Sequence, residues 1–315
     1  MNADYTRVLP TSRPPTFGGL LMLLGFILMG GVLSTLLMLL GFMLFGGLSF
    51  GDVQQHLRLL ASDPASLPGG WFELMSLQAV NHLGSFLLPA LAYWYWIEQR
   101  TWPQFNNRPL ERVAALSIVG LIVILFMPFD GLIIEWNQNI HLPQTLAPIE
   151  NWVRAKEKSL ESVTRFLTTF ESPAQLVVAI LVIAVIPGIG EEVLFRGVLQ
   201  RMLHYWTGNR HAAVWLAAAL FSAVHVQFLG FFPRMLLGAL FGYLYLWSGN
   251  IWVPILAHFT NNGFTVLMVY LHQQKMTSIN VENTESVPVL GALISGLFTA
   301  GLLYYFRQRN QPQSA

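Results

Sequence analysis

The chain has 315 residues, of which 54% are hydrophobic and only 10% charged, with a formal net charge of +1 and a mean hydropathy of +0.52. That apolar share exceeds the usual share of a soluble domain, and the balanced charge offers neither a basic face for nucleic acid nor an acidic solvating tail. The absence of cysteine excludes disulfides, thiolate metal sites and a cysteine nucleophile.

Crossing a hydrocarbon core of roughly 30 Å takes about 20 apolar residues in a helix. Arg7 and Arg13 precede an apolar run over residues 17–47, which is too long for the core of a signal peptide and reads as a retained first span. Its excess length calls for a tilt, a bend near Gly30 and Gly31, or projection beyond the bilayer. Residues 79–97 form the next span and end in the "YWYW" cluster suited to a membrane interface; residues 113–134 follow.

In the segment 149–170, Ile149, Trp152, Val153, Leu160, Val163, Leu167 and Phe170 recur at helical spacing. Glu150 with Arg154, and Glu161 with Arg165, form i, i+4 ion pairs on the other side. The pattern fits an amphipathic helix lying on the membrane, or equally one packed across the mouth of the bundle. The remaining spans are 175–186, running past Pro187 into a charged helix, then 212–229, 235–247, 251–271 and 287–306. Gly238 and Gly242 form a small-xxx-small pair that lets two helices approach, for which packing is a sufficient reason.

The expected fold is therefore all-α: a polytopic membrane helix bundle of about eight transmembrane helices plus one interfacial amphipathic helix. Lys and Arg fall at the N-terminus, in 98–112, in 196–210 and in the tail at Arg307 and Arg309, whereas 48–78 carries only Arg58. Both termini accordingly read as cytoplasmic.

Charged side chains at bilayer depth cost about 2.5–3.5 kcal/mol each on insertion scales, so they normally face a cavity and carry function. Three clusters qualify: Glu191, Glu192 and Arg196 in "PGIGEEVLFRG"; His225 in "FSAVH"; His258 and Asn262 in "HFTNN". Glu192 and Arg196 are one helical turn apart and can pair, while Glu191 projects about 100° away without a local cation. An unpaired carboxylate in an apolar cleft suits a general base. His258 and Asn262 share one helix face and can aim donors at one small volume.

Each residue alone has a plain structural use: acids at a helix start, buried histidines bonded between helices, asparagine as interhelical glue. Their joint occurrence points to chemistry, with Glu191 and His225 as base and His258 and Asn262 as oxyanion donors. His56, His141 and His272 fall in loops, His204 and His211 flank a turn, His82 lies at some depth near the start of the second span, and Asp130 sits near a span end. None of these is assigned a catalytic role. No His-Glu-x-x-His, Gly-x-Ser-Gly or paired intramembrane aspartates are present, which leaves a glutamate-based site.

"EEVLFR", "FSAVH" and "HFTNN" resemble, in order, the Glu-Glu-x-x-x-Arg, Phe-x-x-x-His and His-x-x-x-Asn motifs of the CPBP family. These are the CAAX prenyl endopeptidases and bacteriocin-processing enzymes, also called the Abi family. The likeness covers about residues 175–271 and divides the chain into N-terminal helices with the amphipathic segment (1–172), a catalytic core (173–275), and a last span with its tail (276–315).

The resemblance implies an intramembrane endopeptidase acting on a membrane peptide or protein, in a bacterial cytoplasmic membrane. Glu191 would be the catalytic glutamate, His225 its helper in activating water, His258 and Asn262 the oxyanion site, and Glu192 and Arg196 supports for the glutamate. No cofactor is favoured, although Glu191, His225 and His258 are donor types that could bind Zn²⁺. The rival readings are an ion-coupled or proton-relay transporter, disfavoured by the confinement of the polar groups to one half of the chain, and a catalytically idle scaffold, disfavoured by the intact motifs.

Overall fold

The computed structural model describes residues 14–106, 108, 114–281 and 288–310. Arg7, Arg13, Arg112 and the last five residues lie outside the described residues, as does the start of the span expected at 113. Among the described residues the structure is helical and has no strand.

Helix α1 (Phe17–Phe45) is capped by Thr16, whose hydroxyl accepts from the Gly19 amide at 3.0 Å. It is apolar on every side and buries only Gly19, Leu23, Ser34 and Phe42, leaving a lipid-facing surface of Leu21, Leu28, Leu37 and Leu44. Gly30 marks a crossing within an unbroken helix: a Cβ there would overlap the carbonyl oxygen of Gly84.

After the short α2 (Phe50–Ser62), α3 (Gly70–His82) passes through a widened turn, Leu83–Leu87, into α4 (Leu88–Ala92) and a second widened turn, Tyr93–Ile97. Gly84 lies in the first of these turns, so α1 packs across the middle of this rod.

Helices α5 (Ala114–Gln138) and α6 (Ala147–Leu167) follow. The latter covers the amphipathic segment. It packs on the bundle, because Val153 and Leu167 are buried, Trp71 donates its indole N–H to the Leu167 carbonyl at 3.1 Å, and Glu157 accepts from the Leu229 amide at 3.0 Å. Ile149 and Trp152 stay exposed. Both expected ion pairs form, Glu150–Arg154 at 2.8 Å and Glu161–Arg165 at 3.1 Å.

The next helix is one 35-residue rod, Pro173–Thr207. It is built from α7 (Pro173–Ala179), a wide segment Ile180–Val185, α8 (Ile186–Glu192), a second wide segment Val193–Leu199, and α9 (Gln200–Thr207). Gly208, at φ +64, ends it, and the Asn209 side chain caps α10 (Arg210–Ala223). Helices α11 (Phe231–Ser248), α12 (Trp252–Gln273) and α13 (Val289–Asn310) complete the bundle.

The main core surrounds the rod: Val193, Phe195, Val198 and Met202 pack against Trp94, Phe105, Phe221 and Tyr245. Lipid is as apolar as these side chains, so close packing rather than the hydrophobic effect favours the association.

Among the described residues, five helices are long and apolar enough to cross a bilayer by length and composition: Phe17–Phe45, Leu116–Gln138, Pro173–Thr207, Phe228–Ser248 and Val289–Asn310. The expected eight spans go beyond these five. The helix α10 has 14 residues, which extend about 21 Å. The helix α12 carries His258, Thr260, Asn261 and Asn262 at its centre, lowering its hydropathy.

Candidate active site

The site begins with a proline inside a helix. Pro187 has no N–H, so the Ile183 carbonyl loses the donor that an α-helix would supply from four residues on. Asn262 on α12 fills that position, donating Nδ2–H to the Ile183 oxygen at 2.9 Å. The neighbouring Asn261 donates to Asn262 Oδ1 at 3.0 Å. One of the two N–H groups of Asn262 is thereby engaged in holding the rod to α12.

One turn after Pro187, Glu191 and Glu192 are buried, at 5% and 0% exposure. They meet different surroundings. Glu192 Oε1 accepts from Arg196 at 2.8 Å and from His258 Nδ1, also at 2.8 Å. Arg196 is fully enclosed: its other amino group donates to the Gly238 carbonyl at 2.8 Å, and its carbon lies 4.7 Å from the Phe221 ring centre. The glycine at 238 thus brings α11 close to α10 and presents a carbonyl to the cation.

Glu191 has no arginine in direct contact among the described residues. Its Oε1 lies 3.5 Å from His82 Nε2, and its Oε2 lies 4.0 Å from His258 Nε2. Oε2 is buried and accepts no hydrogen bond. The 4.0 Å separation is too long for a direct bond and short enough for one water to touch both groups. His258 is oriented from its other side, by the Glu192 bond at Nδ1 and by stacking on Phe241 at 5.3 Å.

His225, the expected helper of Glu191, makes its hydrogen bond within its own turn. It sits in the turn after α10 and gives its Nδ1–H to the Phe221 carbonyl at 2.8 Å, which leaves Nε2 as the acceptor of the neutral ring. It shares the site's electrostatic environment with His82 and His258. Phe221 joins the three motifs by packing edge-on against Phe195 at 5.3 Å, His225 at 5.2 Å and His258 at 6.0 Å, with Arg196 over its face.

Three neighbours carry no role in the sequence reading. His82, from α3, faces Glu191; its depth in the second span was the signal available in the sequence. Arg234, on α11, is partly buried and donates to Gln227 Oε1 at 2.6 Å. Asp130 is no simple interfacial acid, because its Oδ1 is buried. Among the described residues no group of three or more His, Asp or Glu is placed to hold a metal ion.

Residues of the first and third motifs thus come together: His258 bonds Glu192 and lies 4.0 Å from the buried Glu191, with Asn262 a turn beyond it on α12. Residues 173–264 match the family model "Type II CAAX prenyl endopeptidase Rce1-like". The Rce1-like segment contains Glu191, Glu192, Arg196, His225, His258 and Asn262, and leaves out His82.

Two curated relatives, both from Bacillus subtilis (strain 168), are similar to parts of the chain. "Uncharacterized protein YpbD" is 34% identical over 84 residues, covering 25% of this chain and 40% of the relative. "Putative membrane peptidase YdiL" is 33% identical over 101 residues, covering 30% of this chain and 41% of the relative. The chain thus spans about two fifths of the length of the curated relatives it matches. No solved structure matches it significantly. With five apolar helices and an Rce1-like segment, the chain is an integral membrane protein similar to CAAX-protease-like membrane peptidases.

Proposed function

We propose that the chain is an intramembrane endopeptidase that hydrolyses peptide bonds of membrane-associated peptides or proteins with water activated by Glu191. The observation that carries this reading is the contrast between adjacent carboxylates. Glu192 is neutralised by Arg196 and His258, whereas Glu191 keeps a buried oxygen, Oε2, with no hydrogen bond and an imidazole nitrogen 4.0 Å away.

In this mechanism Glu191 takes a proton from water as the oxygen adds to the scissile carbonyl carbon. The carbonyl oxygen becomes an oxyanion. His258, tied to Glu192 through Nδ1, turns its Nε2 edge toward Glu191 and is assigned to the oxyanion side of the site. The second N–H of Asn262 is a further donor one turn, about 6 Å, along α12. The C–N bond then breaks as Glu191 passes its proton to the departing amine. His225, held by the Phe221 carbonyl, is assigned the role of helping Glu191 activate the water.

The test is quantitative profiling of new protein N-termini in membranes containing wild type or Glu191→Gln at matched expression. Termini present only with wild type are expected; identical profiles would defeat the reading. We further propose a bacterial cytoplasmic membrane as the location, with both ends on the cytoplasmic side, a reading supported by the placement of Lys and Arg along the chain. The chain has no cysteine, so single introduced cysteines labelled from outside would report that orientation cleanly.

A further inference from the structure

His82 lies at the end of α3, outside the Rce1-like segment, yet its Nε2 is 3.5 Å from Glu191 Oε1. That nitrogen is buried and has no hydrogen-bond partner among the described residues, so the carboxylate oxygen is the acidic group it faces. The ring is held by stacking on Phe86, with centres 4.5 Å apart and planes 16° from parallel. Its Cδ2 lies 3.4 Å from where a Cβ on Gly190 would stand, so the glycine before Glu191 leaves room for the imidazole against the rod. The two oxygens of Glu191 therefore have different neighbours: Oε1 faces His82, and Oε2 faces His258.

A carboxylate base must present one oxygen at a fixed angle, and a side chain free to rotate about its last bond does not. We propose that His82 is a positioning residue for the hydrolytic reaction: its Nε2–H closes onto Glu191 Oε1 and holds Oε2 toward the water. The tautomer follows from the geometry, because Oε1 is an acceptor and needs a donor at Nε2. The first transmembrane helices thereby complete the site from outside the matched segment. Because α1 crosses the α3–α4 rod at Gly84, two residues beyond His82, α1 also helps to fix where that rod stands.

His82 has this role only if Glu191 is the base, so Glu191→Gln is assayed alongside it. The substrate is an internally quenched peptide spanning a cleavage site that depends on Glu191 in the N-terminal profiles. His82→Phe keeps a planar ring for Phe86 and removes the donor, whereas His82→Gln replaces the ring by an amide whose N–H can reach a similar point.

For Phe we expect kcat to fall by about 100-fold, the scale of misplacement of a reacting group by about 1 Å, with KM unchanged. Gln should restore at least a tenth of the wild-type kcat. Melting transitions in detergent are recorded on the same preparations, and His82→Leu takes the place of Phe if Phe does not fold. Wild-type kcat in the donor-less variant would overturn the proposal, as would a Gln variant no better than Phe. Full activity of Glu191→Gln would instead defeat the assignment of Glu191 as the base, and His82's role with it.

Discussion

Arg196→Met tests the electrostatic core of the site. The guanidinium is 1% exposed and makes two bonds of 2.8 Å, one to Glu192 and one to the Gly238 carbonyl. Removing one partner of a buried ion pair costs about 3–5 kcal/mol, because the other charge stays buried without compensation. The orphaned Gly238 carbonyl would alone cost about 1–3 kcal/mol, but this is not additive with the first figure. His258 still supplies Glu192 with one donor, which moderates the loss. We therefore expect a loss of about 4 kcal/mol in equilibrium unfolding in detergent or bicelles.

The double variant Glu192→Gln with Arg196→Met should recover part of that loss, since no uncompensated charge remains. Arg196→Lys should fall between, keeping the charge but losing the fork that reaches two acceptors. A loss below about 1 kcal/mol for Arg196→Met would refute the claim that this pair holds Glu192 in place, as would a double variant less stable than the single one.

Four other outcomes follow from the same geometry. Glu191→Gln should lower cleavage by about 10²–10⁴-fold while leaving the melting transition near wild type, because its buried Oε2 makes no hydrogen bond to lose. Asn262→Ala should cost about 1–3 kcal/mol by freeing the Ile183 carbonyl, and adding Pro187→Ala should restore stability by returning the helix's own N–H. Cleavage that stays lost in that restored double variant would favour an oxyanion role for Asn262, and cleavage that returns would make its role structural. Gly30→Leu should push α1 off the Gly84 turn, read as new protease sensitivity of α1 in detergent. Outside the spans, the Arg154 hydrogen bond, with help from the Leu142 amide and His141, lowers Glu150 from 4.5 to about 2. A depressed folded-state value means the contact stabilises above the unfolded pKa and is lost as pH falls through the folded one. Protection of the Leu142 amide, taken relative to its intrinsic exchange rate at each pH, should therefore fall between about pH 4.5 and 2, and this fall should be absent in Glu150→Gln.

The identity of the polar groups was legible in the sequence because charge is expensive in hydrocarbon, so finding it at depth is informative. The Glu192–Arg196 pair was legible too, since helical spacing alone brings residues four apart together. The contacts that define the site are different in kind. His258 meets Glu192 across 66 positions of chain, and Asn262 meets Ile183 across 79; no local period encodes either. Spacing on α12 places His258 and Asn262 on one face, but it does not reveal that the first serves a carboxylate and the second a proline-freed carbonyl. His82 shows the same limit, because a lone histidine at depth has no direction until α3 is packed against the rod. Five of the expected spans fall on described helices that are long and apolar enough to cross a bilayer; of the others, α12 is made less apolar by its functional polar residues and α10 is a short hairpin helix.

The uncharged residues of "PGIGEEVLFRG" explain why its charges can be where they are. A guanidinium or a freed carbonyl enclosed between helices needs protein partners, so backbone and side chains from neighbouring helices must come within bonding range. Small residues make this possible. A Cβ on Gly188 would lie 3.4 Å from the Ile255 carbonyl of α12, and one on Gly197 would lie 2.6 Å from the Phe105 ring. Close approach at Gly188 keeps α12 near enough for His258 to reach Glu192 and Asn262 to reach Ile183. Close approach at Gly197 seats the next turn against the aromatic core, with Arg196 directed at the Gly238 carbonyl. Pro187 removes a helix bond that Asn262 replaces from another helix, so a local defect becomes an interhelical tie. The two carboxylates are thus held by packing that their uncharged neighbours set, which separates an ion-paired Glu192 from a Glu191 left with an available oxygen.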